Sequence, residues 1–244
     1  MIDIKEASLS YQDTTIFDKL LFSIREQQWT AILGPSGIGK TSLLKLIAGL
    51  LPTKSSSRAT LMMNKPLSIE QDIAYLPQED LLLPWLSVYN NLLIGTRLRQ
   101  STLNRDALAK KAHALLAQVK LTDAAMLYPH QLSGGMRQRL MLAQLLIQDK
   151  PIIFMDEPFK SLDAMTRFQL QTLFTELLKD KTVVFITHDL QEATRLAHTI
   201  YFMHGHPATL TLAATLDEPI PRDLTAESVI AAQKKLYPLW MESA

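Results

Sequence analysis

The segment that most constrains this chain is Gly34-Pro35-Ser36-Gly37-Ile38-Gly39-Lys40-Thr41. It satisfies the pattern G-x-x-x-x-G-K-[S/T] and stands between an apolar run, Trp29–Leu33, and a segment with helical spacing, Lys40–Leu50. Strand, glycine-rich turn and helix in that order form the first half of a βαβ unit. The glycines let the backbone fold tightly and turn its N–H groups inward, and the helix start adds the positive end of its dipole. Such a cradle suits a polyphosphate. Lys40 would reach the β- and γ-phosphates, and the Thr41 hydroxyl would help hold Mg²⁺.

The rest of the composition narrows the class. A chain of 244 residues with 47% hydrophobic residues can bury one large core or two small ones. A formal net charge of +1 argues against nucleic acid or acidic lipid as the main partner. No cysteine is present, which excludes disulfides, a Cys-ligated zinc site and a thiol nucleophile. The opening residues Met1–Glu6 lack the basic end and apolar stretch of a secretory signal, and no apolar run approaches the ~18–20 residues of a transmembrane helix. A cytoplasmic globular protein is expected.

Along the chain, short strands are expected over Ile2–Leu9, Leu21–Ile24 and Trp29–Leu33, then around Ala59–Met63 and Ile73–Leu76. The polar stretch Thr53–Arg58 reads as a surface turn. From Ser87 to Gln148 the pattern is mostly helical, interrupted at Pro129 and Ser133-Gly134-Gly135. The strand Ile152–Met155, a helix over Asp163–Lys179 and the strand Thr182–Thr187 follow. Strands alternating with helices predict a parallel sheet covered on both faces. After Gly205 the periodicity weakens to two short strands and a final helix near Ala226–Leu236.

Two further segments carry chemistry. Ile152-Ile153-Phe154-Met155 ends in adjacent carboxylates, Asp156 and Glu157. At the carboxyl end of a parallel strand such groups face the crevice where α/β folds bind ligands. One can hold Mg²⁺, usually through water; the other points elsewhere by strand alternation and can act on an attacking water. The second segment is Leu132-Ser133-Gly134-Gly135-Met136, at a helix start. Ser133 is an N-cap there, and its hydroxyl with the two glycines also suits an approaching anion. Five of the eight glycines fall in the two loops, a concentration that favours phosphate contacts over ordinary turns.

With these motifs in place the sequence resembles the ATP-binding subunit of an ABC transporter. The resemblance spans residues 1 to about 205 and rests on motifs in the family's order and spacing. Gly34–Thr41 matches Walker A, with Ser42 following; Gln78 matches the glutamine loop, and Leu132–Met136 the signature. Ile152–Asp156 matches Walker B, Glu157 the catalytic position, Ser161-Leu162-Asp163 the D-loop and His188 the switch histidine. Tyr11 matches the aromatic that stacks on adenine. Lys160 stands where a small residue is common, and Met136 replaces the commonest Gln. Leu82–Val88, the Met-Arg-Gln-Arg ending of the signature and Glu157–Arg167 are similar to importers for nitrate, taurine, alkanesulfonates and thiamine-precursor pyrimidines.

The resemblance implies a P-loop NTPase fold: an ABC cassette with a mainly parallel sheet core, an N-terminal antiparallel β subdomain and a helical insertion. It implies a single ATP-binding domain over 1–244, with 1–86 and 151–205 forming the nucleotide-binding lobe, 87–150 the helical signature subdomain and 206–244 a short tail. It further implies ATP and Mg²⁺, the ion surrounded by Thr41, Gln78 and Asp156. Glu157, His188 and Gln78 would carry hydrolysis. Ser133, Gly134 and Gly135 would touch the ATP held by a second copy paired head to tail, whose site Asp163 would sense. The implied partners are that second copy, a transmembrane permease subunit and, indirectly, a substrate-binding protein, at the cytoplasmic face of the inner membrane, with no nucleic acid. Leu81–Leu86 and Val88 form an unusually apolar connector, either a groove for a permease helix or packing for the helical insertion. The alternatives are a soluble ABC ATPase acting on nucleic acid or ribosomes, and the ATPase subunit of an exporter.

Overall fold

Strand β1 (Ile2–Tyr11) alternates buried Ile2, Ile4, Ala7 and Leu9 with more open residues, as a half-buried antiparallel strand should. It pairs with β2 (Thr14–Ile24) on one side and β4 (Ser57–Met63) on the other, both antiparallel. The structure, a computed structural model, describes residues 1–12, 14–51, 57–68, 70–99, 105–160 and 162–243. Of the turn expected over Thr53–Arg58, residues 53–56 lie outside the described residues, and Ser57 and Arg58 open β4.

The second sheet has the order β5-β6-β7-β3-β8-β9, with β3 (Trp29–Leu33), β5 (Ile73–Leu76), β6 (Ile152–Asp156), β7 (Thr182–Thr187), β8 (Thr199–His204) and β9 (Thr209–Thr215). Parallel ladders join β6 to β7, β7 to β3 and β3 to β8, while β9 closes the edge antiparallel to β8. Every residue of β3, β6 and β7 is buried, the signature of parallel strands enclosed on both faces. The fold is α/β with a mainly parallel sheet and a separate N-terminal antiparallel sheet.

Residues 188–205, to which periodicity assigns nothing, hold α6 (Leu190–Leu196) and β8. Helix α6 is under two turns, too short for a 3.6-residue period to register. The tail corrects an expectation: among the described residues after Gly205 there is one strand, β9, where two are expected. Pro219 and Pro221 lack the N–H groups a further strand would donate. The last helix, α7 (Glu227–Ser243), outruns Leu236 and contains Pro238; Trp240 in its final turns sits edge-on to Phe202 of β8.

The chain divides into two units. The first contains residues 1–75, 151–157 and 178–244, hence both sheets, α1 (Lys40–Ile47), α6 and α7. Its core gathers Ile4, Phe17, Leu43, Phe154 and Ile186, so that both sheets and α1 share one apolar interior. The second contains residues 76–150 and 158–177: α2 (Val88–Arg99), α3 (Arg105–Gln118), a 3-10 turn at Pro129–Gln131, α4 (Gly134–Ile147) and α5 (Ala164–Leu177). In this unit the buried Asn91 side chain accepts from Leu83 N and donates to the Leu83, Leu86 and Ser87 carbonyls, fixing the turn before α2. No helix among the described residues is long and apolar enough to cross a membrane.

Candidate active site

In the first unit, β3 ends at Leu33 and the chain enters the glycine loop. Gly34 fits only as glycine: a Cβ there would collide with the Met203 carbonyl oxygen of neighbouring β8. Gly37 and Gly39 take φ of 81° and 109°, in the region that side chains resist. Between them, buried Ile38 anchors the loop, while Ser36 and Gly37 are exposed. Gly39 is the N-cap of α1 and offers no side-chain cap, so the first-turn N–H groups face the loop uncapped, as an anion site requires. Lys40 is 4% exposed, its ammonium donating to the Gly34 and Pro35 carbonyls at 2.8 Å each. The cation is thus held beneath the loop by acceptors it can exchange for phosphate oxygens. Half-buried Ser42 follows in the first turn of α1.

The end of β6 faces the start of α1. Thr41 Oγ1 donates to Asp156 Oδ1 at 3.0 Å, and the Tyr75 hydroxyl donates to Asp156 Oδ2 at 3.3 Å. Burial pushes the Asp156 carboxyl up; the Thr41 bond opposes this, the Glu157 charge adds to it, and Tyr75 and Lys45 oppose it. A desolvated carboxylate flanked by a hydroxyl and a second acid is a hard-oxygen donor set that a divalent cation would relieve. Among the described residues no three His, Cys, Asp or Glu side chains gather as a metal cage. Mg²⁺ is commonly bound through one or two carboxylates together with substrate phosphates. The Thr41 and Asp156 oxygens therefore fit Mg²⁺.

Glu157 leaves the strand at φ 46°, a left-handed conformation that costs a non-glycine residue of order 1 kcal/mol. Its N–H donates to the Ile186 carbonyl at 3.1 Å. Its side chain turns to the end of β7, where Oε1 lies 3.3 Å from His188 Nδ1. The adjacent carboxylates thus meet different partners: Asp156 the phosphate loop, Glu157 the exposed His188. Tyr11 stands at the end of β1, opposite Thr14 and Ser57, half-buried with its ring against the core.

The remaining site candidates belong to the second unit. Gln78 is exposed two residues after β5. Ser133 caps α4, its Oγ accepting from Met136 N at 3.3 Å. A Cβ on Gly135 would come within 2.8 Å of Thr166 Cγ2, whereas one on Gly134 would meet Leu162 Cδ2 at an ordinary 3.5 Å. Asp163 Oδ1 accepts from Thr166 N at 2.9 Å at the start of α5, and Thr166, through its side chain first and its backbone next, holds the Asp163 carboxyl below the usual range. Ser161 lies outside the described residues. The apolar connector divides: Leu82 and Val88 are buried, Leu81 and Trp85 exposed.

Sequence reasoning missed Tyr75 and the Arg137–Asp80 ion pair of 3.0 Å, which ties α4 to the residues after Gln78. The available signal for Tyr75 was one hydroxyl in the short apolar strand Ile-Ala-Tyr-Leu.

Glycine loop, helix start, buried lysine and strand-end carboxylates define a P-loop nucleotide-binding protein. A family model described as ABC transporter matches residues 17–160. An uncharacterized ABC transporter ATP-binding protein of Haemophilus influenzae is 35% identical, covering 97% of this chain and 97% of that protein. The aliphatic sulfonates import ATP-binding protein SsuB of Bacillus licheniformis is 33% identical over 87% of this chain and 82% of its own length. The taurine import ATP-binding protein TauB of Rhizobium johnstonii is 39% identical over 82% and 76%. Among solved structures, a dimeric post-hydrolysis state of the ATP-binding cassette MJ0796 bound to ADP and Pi matches with TM-score 0.73 and 25% identity, over 90% of this chain and 100% of that one. The chain belongs to the ABC transporter ATP-binding family and is an ATPase.

Proposed function

We propose that this chain powers a bacterial importer of a small solute such as nitrate, a sulfonate, taurine or a pyrimidine, as a single ATP-binding domain at the cytoplasmic face of the membrane. The observation that carries the reading is the paired arrangement in one lobe, Thr41 on Asp156 and Glu157 beside His188, under the lysine-bearing loop. Similarity to the proteins named SsuB and TauB supports the solute class, and the dimeric cassette supports pairing of two copies. The exposed Leu81 and Trp85 suit contact with a permease subunit, which in turn would receive solute from a binding protein.

In this reading the loop N–H groups and Lys40 bind the β- and γ-phosphates, Lys40 leaving the Gly34 and Pro35 carbonyls, while Tyr11 stacks on the adenine. Thr41, Asp156 and Gln78 hold Mg²⁺, which neutralises phosphate charge when bound. Glu157 orients a water and takes its proton as oxygen attacks the γ-phosphorus and the bond to the β-phosphate oxygen breaks. His188, held by Glu157, supports the γ-phosphate. Ser133, Gly134 and Gly135 of a second copy close over the same nucleotide, and Asp163 reports on the partner's site. Hydrolysis removes the γ-phosphate contacts and releases the pair.

Size-exclusion light scattering of Glu157→Gln tests this. Hydrolysis should fall at least about 100-fold, and ATP with Mg²⁺ should shift the chain from monomer to dimer. Adding Ser133→Arg should abolish the shift while nucleotide still binds. A nucleotide-bound monomer with the purified permease present would overturn the paired model.

A further inference from the structure

We propose that Tyr75 is a positioning residue for the metal-holding carboxylate: its hydroxyl pins Asp156 Oδ2 while Thr41 pins Oδ1, setting the carboxylate before nucleotide and metal arrive. The inference rests on the reading of Asp156 as the metal-holding group. A phenylalanine would supply the same packing of a half-buried ring against the core, so packing alone does not call for the hydroxyl. At 3.3 Å from Asp156 Oδ2 the phenol O–H has a hydrogen-bond acceptor that a phenylalanine could not use.

Geometry supplies the rest. Asp156 lies 2% exposed at the end of β6, and Tyr75 approaches it from β5, the strand next to β6 in the sheet. Thr41 approaches from α1. One oxygen is therefore tied to the phosphate loop and the other to the sheet, and the carboxylate cannot rotate without breaking a bond. An ionised carboxylate has about four lone-pair sites; the two hydroxyls occupy two and leave the others for a cation or its water. Thr41 can keep donating to Asp156 because its oxygen still has lone pairs to offer. Mg²⁺ demands near-octahedral geometry and sheds water reluctantly, so it is more sensitive than most ions to how a single carboxylate is aimed.

The test is a Mg²⁺ titration of binding by a fluorescent non-hydrolysable ATP analogue. Tyr75→Phe should raise the Mg²⁺ concentration at half-saturation about five- to tenfold, while affinity in EDTA stays within about twofold of wild type. In an Asp156→Asn background Tyr75→Phe should add nothing, because its route to the metal is gone. An unchanged Mg²⁺ midpoint would overturn the proposal. So would an equal loss with and without Mg²⁺, or an undiminished effect beside Asp156→Asn. If Asp156→Asn itself leaves Mg²⁺ dependence intact, the reading of Asp156 fails and the Tyr75 proposal falls with it. Tyr75→Met, apolar, flexible and without the hydroxyl, repeats the test if Tyr75→Phe does not fold. Failure of both to fold would assign the hydroxyl to folding and overturn the role in metal handling.

Discussion

The glycines of the signature segment differ in what they tolerate. Gly134 has ordinary room for a Cβ, but on Gly135 a Cβ would press on the Thr166 methyl at 2.8 Å. Gly135→Ala should therefore lower stability by about 1–2 kcal/mol through overpacking. Thr166→Ser, which deletes that methyl, should recover most of the loss in the double variant. Thermal melts of the two single variants and the double decide it; strict additivity would show that the methyl is not the obstacle. The placing of Lys40 and Thr41 at the start of α1, and of Asp156 and Glu157 at the end of β6, was legible because each sits in a local motif. Tyr75 was not legible, since its meaning depends on a carboxylate 81 residues away. The φ of 46° at Glu157 was equally hidden, because nothing in Asp-Glu-Pro announces a left-handed glutamate.

Among the elements, the wholly buried runs were read with little error: β3 and β7 begin and end where the sequence suggested. Short elements and the tail escaped because their order comes from contacts rather than periodicity. His198 is an example. Its Nδ1 accepts from Trp29 N at 3.1 Å, and its own N–H donates to Trp29 O at 2.8 Å, so it joins the heads of β8 and β3. Burial first, and the Arg222 charge next, push its pKa down. The unfolded chain therefore binds the proton more readily than the folded one. The stability this neutral imidazole contributes is complete above about pH 6.5 and is lost as pH falls through the lower folded value. His198→Asn, which keeps an acceptor for Trp29 N–H, should flatten the fall in stability between pH 7 and pH 5. Urea titrations across that range measure it; an unchanged slope would assign the acid sensitivity to another group.

At the scale of the molecule, a buried guanidinium knots the stretch between β9 and α7 to the end of α6 within the first unit. Arg222 is 3% exposed and donates to the carbonyls of Thr194, Ala197, Leu216 and Glu218. Arg222→Gln should lower stability by about 3 kcal/mol or more by stranding buried carbonyls. Calorimetry should show the loss with no change in nucleotide affinity. That knot was invisible in the sequence, where Arg222 stands in a proline-containing stretch without pattern. The division into units has its own consequence for how such a gene can change. The chain passes between the units at residues 75–76, 150–151, 157–158 and 177–178. Neither unit is a continuous stretch of the gene, so a single crossover anywhere between codons 76 and 177 would join part of one parent's first unit to part of another's. Exchanging the helical unit intact would need junctions at all four places, one of them directly after Glu157. Recombination is thus a poor route to a new pairing of the two units, and stepwise substitution within one lineage is the accessible one.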